Sequence, residues 1–177
     1  MLLLAEYGCS GVNIETGVNQ LGFISSYSPI QDDGNGMNTA GAPYYGMLAF
    51  ATAIAGCSEI LPVDVDTKGV NLTTYVLGAA GKPRCAVIVN RDKSWDAHLS
   101  ISELNIGPVF ALRLLAPSPE SKAEVTFGGA SVDPDGQWKA MTEERIHDGT
   151  VTVPRISAAV LRSVDRHSQH PPEQMHS

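Results

Sequence analysis

From Ile60 onward the chain consists of short runs in which apolar and polar residues alternate. Turn-forming stretches such as GAAGKP, NRDKSWD and DPDGQ separate the runs. Alternation with period two is typical of β-strands, and strands separated by turns every 8–12 residues or so predict an antiparallel sandwich or barrel. The predicted strands are ILPVDVD, NLTTYVLGA, RCAVIVNRD, AHLSIS, VFALRLLA, AEVTF, TVTVP and SAAVLRSV.

The residues before Ile60 follow a different pattern of helix, strand, loop and helix. MLLLAEYG is typical of the last turns of an interior helix that stops at Gly8, and residues 11–16, GVNIET, alternate as a short strand does. A second helix is predicted from Pro43 to Gly56, since proline suits a first helical position and glycine a stop. Almost none of its residues is charged, so we expect this helix to be buried on every side.

The loop between the strand and the second helix, residues 17–42, is rich in Gly, Asn, Asp and Ser. A structureless loop of this length is uncommon unless it serves a site. A single parallel strand leaves both of its edges unpaired, so the strand–loop–helix unit needs a partner. The helix packs either on the β-domain or on further barrel structure. The sequence therefore predicts a mainly β fold, an antiparallel β-sandwich preceded by one β/α unit.

Composition narrows the function classes. With 43% hydrophobic and 18% charged residues the chain is globular in character, and its net charge of −7 with a pI near 5.1 argues against nucleic acid as a partner. The apolar N-terminus is too short for a membrane span and lacks the basic start of a signal peptide, so we expect no membrane partner. The three cysteines, Cys9, Cys57 and Cys85, have no metal-site spacing, and their apolar neighbourhoods are typical of cysteines that pack as small hydrophobes.

Several stretches together resemble the C-terminal portion of the β-glucuronidase and heparanase-like glycoside hydrolases, family 79. They are GVNIETG, YSPI at residues 27–30, PYYGMLAFA at residues 43–51, AVIVNRD and GGASVDPDGQW. Members of that family carry a (β/α)8 barrel with an appended β-sandwich. The resemblance implies that residues 1–58 correspond to the last barrel segment, 59–165 to the β-sandwich and 166–177 to a disordered tail. Within the first segment, residues 11–16 correspond to the eighth barrel strand.

The chemistry that the resemblance implies is retaining hydrolysis of a β-linked glucuronide by two glutamates. One protonates the leaving oxygen and the other attacks the anomeric carbon, with the carboxyl groups about 5–5.5 Å apart. The family's two glutamates lie on upstream barrel strands, so the resemblance assigns no catalytic residue to this chain, and it implies neither a cofactor nor a metal. The implied partners are a uronic-acid-containing glycan or glucuronide and the remaining barrel portion. The family is often secreted, and localisation stays open because no signal peptide is read here.

Three residues are candidate substrate contacts. Tyr27 matches a family tyrosine that contacts the sugar carboxylate, and a phenol hydroxyl can donate to a carboxylate while its ring packs on the sugar. Packing on Pro29 is the alternative interpretation for Tyr27. Glu15 falls where the family has a polar pocket residue, or else it accepts hydrogen bonds from loop backbone. Asn13 is placed in the same pocket, although Asn in such a segment often serves the backbone instead.

The two tryptophans, Trp95 and Trp138, lie in turns or at strand ends. Exposed together on one face they would suit sugar stacking, whereas packing beneath a turn is the more ordinary interpretation. The sequence thus leaves three hypotheses open. The chain is the accessory part of a β-glucuronidase-type hydrolase without catalysis by itself, or an autonomous β-sandwich that binds carbohydrate or protein, or the product of a shortened reading frame without independent function.

Overall fold

The computed structural model describes residues 1–14, 16–17, 28–32 and 37–163. Within these ranges the chain is mainly β, as predicted. The helices are α1 (Leu2–Glu6) and α2 (Ala42–Ile54), with a short 3-10 helix at Ser102–Leu104. The strands are β1 (Ile30–Asp32), β2 (Asn38–Ala40), β3 (Glu59–Leu61), β4 (Leu72–Ala79), β5 (Lys82–Asn90), β6 (Ala97–Ser100), β7 (Val109–Leu115), β8 (Thr126–Phe127), β9 (Glu144–Ile146), β10 (Thr150–Val153) and β11 (Ser157–Ser163).

The main sheet is antiparallel throughout and runs in the order β3-β4-β5-β11-β7. The outer edge of β7 is shared, because β8 pairs with its end and β9 with its beginning. A separate ribbon of β6 and β10 and a hairpin of β1 and β2 complete the described strands.

Both faces of the main sheet are covered, which produces two cores. One core lies between the sheet and the β6–β10 ribbon and contains Val76, Ile88, Leu161, Val151 and Val153. The other core lies between the sheet and α2. Because side chains alternate between faces, residues 85–88 and 158–161 are apolar without interruption, one residue serving each core in turn. The ribbon against the sheet is the predicted β-sandwich.

The helix α2 begins and ends close to the predicted residues but is not buried on every side. Tyr45, Ala49 and Ala53, spaced four residues apart, face the sheet and are 5%, 8% and 0% exposed. On the opposite side Pro43 and Ile54 are exposed. The prediction of full burial is therefore wrong for the described part of the chain, since a flat sheet covers only one face of a helix.

The segment before α2 differs from prediction in two respects. Residues 11–14 and 16, predicted as a strand, are not in one, since no described strand lies beside them to accept and donate backbone hydrogen bonds. The predicted loop 17–42 contains the β1–β2 hairpin, whose three-residue strands are too short to leave an alternating pattern. Glu15, residues 18–27 and 33–36, and the predicted tail at 166–177 lie outside the described ranges.

The first helix is confirmed in position. It spans Leu2–Glu6 and is followed by Gly8 in a left-handed conformation with φ of 82°, which suits a glycine just beyond a helix end. No helix in the described part of the chain is long and apolar enough to cross a membrane.

Candidate functional site

A cleft of about 320 Å³ lies where the β1–β2 hairpin, the start of α2 and the segment 122–134 of the β-domain meet. Residues before and after Ile60 both contribute to its walls. The polar side chains on those walls belong to Gln31, Asn38, Thr39, Tyr45, Lys122, Glu124, Ser131 and Asp133.

The hairpin wall is fixed to the start of α2. The backbone N–H of Gly41, the residue before the helix, donates to the Pro29 carbonyl at 2.8 Å. A Cβ at Gly41 would lie 2.9 Å from the Ser28 carbonyl oxygen, so a larger residue there would push the segment away. Ser28 is 1% exposed, and its hydroxyl donates to the Ile30 carbonyl. These contacts hold residues 28–32 against the helix that packs on the sheet.

The opposite wall is joined to α2 by a tyrosine. The Tyr45 hydroxyl accepts a hydrogen bond from the Val132 N–H at 3.0 Å, and its ring meets Tyr44 edge-on at 6.4 Å between centroids. Asp133 accepts from the Gln137 N–H at 2.7 Å, which closes the neighbouring turn. One buried helix residue therefore sets the distance between the cleft's walls, because it is anchored in the core and bonded to the loop.

The cleft carries charged side chains of both signs. Lys122 supplies one positive charge, while Glu124 and Asp133 supply two negative ones. All three side chains are exposed. Hydroxyl and amide groups on the hairpin can exchange hydrogen bonds with a sugar's hydroxyls.

The two carboxylates in the cleft, those of Glu124 and Asp133, are both exposed to solvent. No group of three His, Cys, Asp or Glu side chains among the described residues could hold a metal ion. What the cleft offers a ligand is a wall of hydroxyl and amide groups on the hairpin and charged groups on the opposite side.

The structure describes only one of the three predicted contact residues. Asn13 is exposed and does not line the cleft. Tyr27 and Glu15 lie outside the described residues. Sequence reasoning missed Thr39 and Lys122, since the turn-rich composition of their segments indicates loops and says nothing of which loops meet.

The two tryptophans differ in packing and exposure. Trp138 stacks on Phe127 with 5.1 Å between ring centroids, and its indole N–H donates to the Phe127 carbonyl at 2.9 Å. It packs beneath a turn, as the ordinary interpretation predicts. Trp95 is instead 67% exposed on the turn after β5.

The chain shares its fold with part of one solved glycoside hydrolase. The sequence matches no protein-family model and no curated protein. Among solved structures it is similar to a 4-O-α-L-rhamnosyl-β-D-glucuronidase from Fusarium oxysporum 12S in complex with Rha-GlcA, with 22% identity over 70% of this chain and a TM-score of 0.53. A GH51 arabinofuranosidase from Xanthomonas axonopodis pv. citri is 19% identical over 82% of this chain, with a TM-score of 0.44.

The chain spans about 30% of the glucuronidase and 29% of the arabinofuranosidase. At this identity the glucuronidase comparison establishes a shared fold, and function has to be argued from the site.

Proposed function

We propose that this chain supplies the β-sandwich and one helix–loop unit of a β-glucuronidase-type glycoside hydrolase, and that it does not hydrolyse glycosides by itself. In this proposal residues 1–58 belong to the barrel side and residues 59–165 form the accessory β-domain. The main observation in its support concerns the two faces of α2. The inner face packs on the sheet, whereas the outer face is apolar and exposed to solvent. The fold shared with a glucuronidase supports the same assignment.

The open side of α2 borders an apolar groove of about 520 Å³ between the two helices and the sheet. Its lining includes Leu3, which is 52% exposed, and Ile14, which is 37% exposed. A contiguous apolar surface of this kind marks an interaction site. Further barrel structure would cover it, because neighbouring helices of a barrel pack side by side around the strands.

The cleft supports a role in substrate contact. From the family resemblance we assign it a uronic-acid-containing glycan, with Tyr27 and Glu15 as proposed contacts and Asn13 as a proposed contact outside the cleft's lining. The hairpin is fixed to α2 through Gly41 and Pro29, so a sugar contact on it would be held in place by the core. A preorganised contact loses less entropy on binding than a free loop does.

The absence of catalysis is tested with the purified chain and 4-nitrophenyl β-D-glucuronide. We expect no 4-nitrophenol release above the buffer rate, because the only described carboxylates in the cleft are open to water. Steady turnover by the 177-residue chain, abolished by Glu124→Gln, would overturn the proposal.

Substrate contact is tested separately by saturation-transfer NMR with a Rha-GlcA disaccharide. We expect transfer to the sugar that is lost in Tyr27→Phe and kept in Tyr7→Phe, since Tyr7 is 81% exposed and lies outside the cleft. Equal transfer in both variants would remove Tyr27 from the site.

A further inference from the structure

Trp95 is a large aromatic side chain that neither core uses. It is 67% exposed, although full burial of an aromatic ring contributes more to stability than burial of most other side chains. An exposed indole offers a flat apolar face with one hydrogen-bond donor at its edge. Whether it can act as a binding surface depends on how firmly the turn holds it and on what surrounds it.

The Asp92 carboxylate fixes the turn that carries Trp95. Its Oδ1 accepts from the N–H groups of Ser94 at 2.8 Å and Trp95 at 3.0 Å, and its Oδ2 accepts from the Asn71 N–H at 3.1 Å. These bonds, the one from Ser94 foremost, lower the pKa of Asp92 because they favour the ionised carboxylate. At neutral pH the turn is therefore closed by a charged group.

A buried amide fixes the same turn from below. Asn90 is 1% exposed, and its Nδ2 donates to the carbonyls of Trp95 at 2.9 Å and Val153 at 3.0 Å. Its Oδ1 accepts from the Asp92 N–H at 2.9 Å. The backbone of Trp95 is thus tied to β5 and to the end of β10, so little backbone freedom remains to be lost on binding.

Charged side chains of both signs lie beside the turn that carries Trp95. The Arg155 guanidinium lies 3.8 Å from the Oδ1 of Asp96. The backbone N–H of Arg155 donates to the same oxygen at 2.9 Å. The two side chains are 59% and 42% exposed, so further hydrogen-bonding capacity faces solvent. Arg91, Lys93 and Arg155 supply three positive charges against the two negative ones of Asp92 and Asp96, so the charges nearly balance, and the whole chain carries −7. This distribution of charge favours an uncharged, hydroxyl-rich ligand over a polyanion.

We propose that Trp95 and the Asp96–Arg155 pair form a binding surface for a neutral β-linked pyranose chain. The C–H face of such a sugar packs on the indole, while its hydroxyls donate to Asp96 and accept from Arg155. None of these residues lines the cleft, so this second surface does not depend on the proposed hydrolase role. It would hold the chain on a polysaccharide.

Binding is tested by titrating the full chain with cellohexaose, followed by calorimetry and by the NMR signal of the Trp95 indole N–H. We expect saturable binding that shifts this signal. Trp95→Ala should weaken affinity by roughly tenfold or more, as truncation of a central aromatic contact does, and Trp95→Tyr should retain most of it. Arg155→Met should weaken binding by about threefold to tenfold, the loss expected for one typical protein hydrogen bond.

Matched controls keep the result interpretable. Met141, 80% exposed, provides a surface variant, and Met141→Ala should leave affinity unchanged. The Trp95 variants should unfold at the wild-type temperature, since an exposed side chain adds little to the core. A hexamer of β-1,4-linked glucuronic acid should bind more weakly than cellohexaose.

Three outcomes would overturn the proposal. They are no saturable binding of cellohexaose, binding that survives Trp95→Ala, and a preference for the acidic hexamer. Concentration-dependent dimerisation that Trp95→Ala abolishes would identify the surface as a protein interface instead.

Discussion

Cys85 and Cys9 show how one residue type takes different roles in this chain. Cys85 is 1% exposed within β5, and burial raises the pKa of its thiol to about 12. Burial also raises the pKa of the half-buried Cys57, with Arg162 and Arg84 opposing that shift. Cys9 is exposed. Apolar sequence neighbours predict a packed cysteine at all three positions, and they are misleading at Cys9 because its segment packs on little.

Thiol reactivity follows from these environments. At pH 8 we expect a disulfide reagent such as DTNB to modify Cys9 rapidly and Cys85 only on unfolding, since the thiolate is the nucleophile. Cys9→Ser should remove the fast phase. A fast phase persisting in the Cys9→Ser/Cys57→Ser double variant would show that Cys85 is accessible.

The raised pKa of the Cys85 thiol also makes the stability of the fold depend on pH. As the pH rises past the ordinary thiol value of 9.0, the unfolded chain releases this proton before the folded chain does, so Cys85 lowers stability progressively toward pH 12.

The β4–β5 hairpin is the element that sequence and structure describe in closest agreement. GAAGKP is predicted as a turn, and Ala79 pairs with Lys82 around the two-residue loop Ala80–Gly81. These residues have φ of 51° and 70°, the positive values of a type I′ turn. The Glu59 carboxylate accepts from both of their N–H groups at 3.0 Å each. Glycine tolerates this conformation and alanine does not, so Ala80 is strained.

Substitution at this turn should change stability in opposite directions. Ala80→Asn should stabilise the protein by about 0.5 kcal/mol, because Asn accepts positive φ more readily than Ala. Gly81→Ala should destabilise it by about 1 kcal/mol for the converse reason. Urea unfolding followed by circular dichroism measures both. If Ala80→Asn lowered the unfolding midpoint, the assigned turn geometry would be wrong.

At the scale of the whole molecule, the sheet was predictable and the cleft was not. Alternation with period two identifies strands from local sequence alone, which is why the long strands of the β-domain are found and three-residue strands such as β9 are missed. The cleft forms where residues 31, 37–40 and 45 meet residues 122–125 and 131–134, and the two walls are linked by the hydrogen bond from the Val132 N–H to the Tyr45 hydroxyl. No local pattern encodes a contact across 87 residues of chain.

The same limit applies to α2. Its composition predicts burial on every side, and an apolar pattern around the whole helix cannot show which face the chain's own sheet covers. That face is settled by the small residues Ala49 and Ala53, which let the helix approach the sheet closely.

The open apolar side of the molecule leads to the last prediction. Leu3 and Ile54 are 52% and 38% exposed, so the chain on its own should bind a hydrophobic dye and associate as its concentration rises. Leu3→Lys together with Ile54→Lys should suppress both effects without lowering the unfolding temperature, since neither side chain is buried. Met141→Lys, at a position 80% exposed on the β-domain, is the matched control and should suppress neither.

Sedimentation velocity across a concentration series, with dye fluorescence in parallel, measures the two effects. A wild-type chain that stays monomeric and dye-free at every concentration would mean that this side of α1 and α2 needs no cover. The proposed barrel-side role of residues 1–58 would then lose the observation that carries it, whereas sugar binding at Trp95 would be unaffected because none of the substituted residues belongs to that surface.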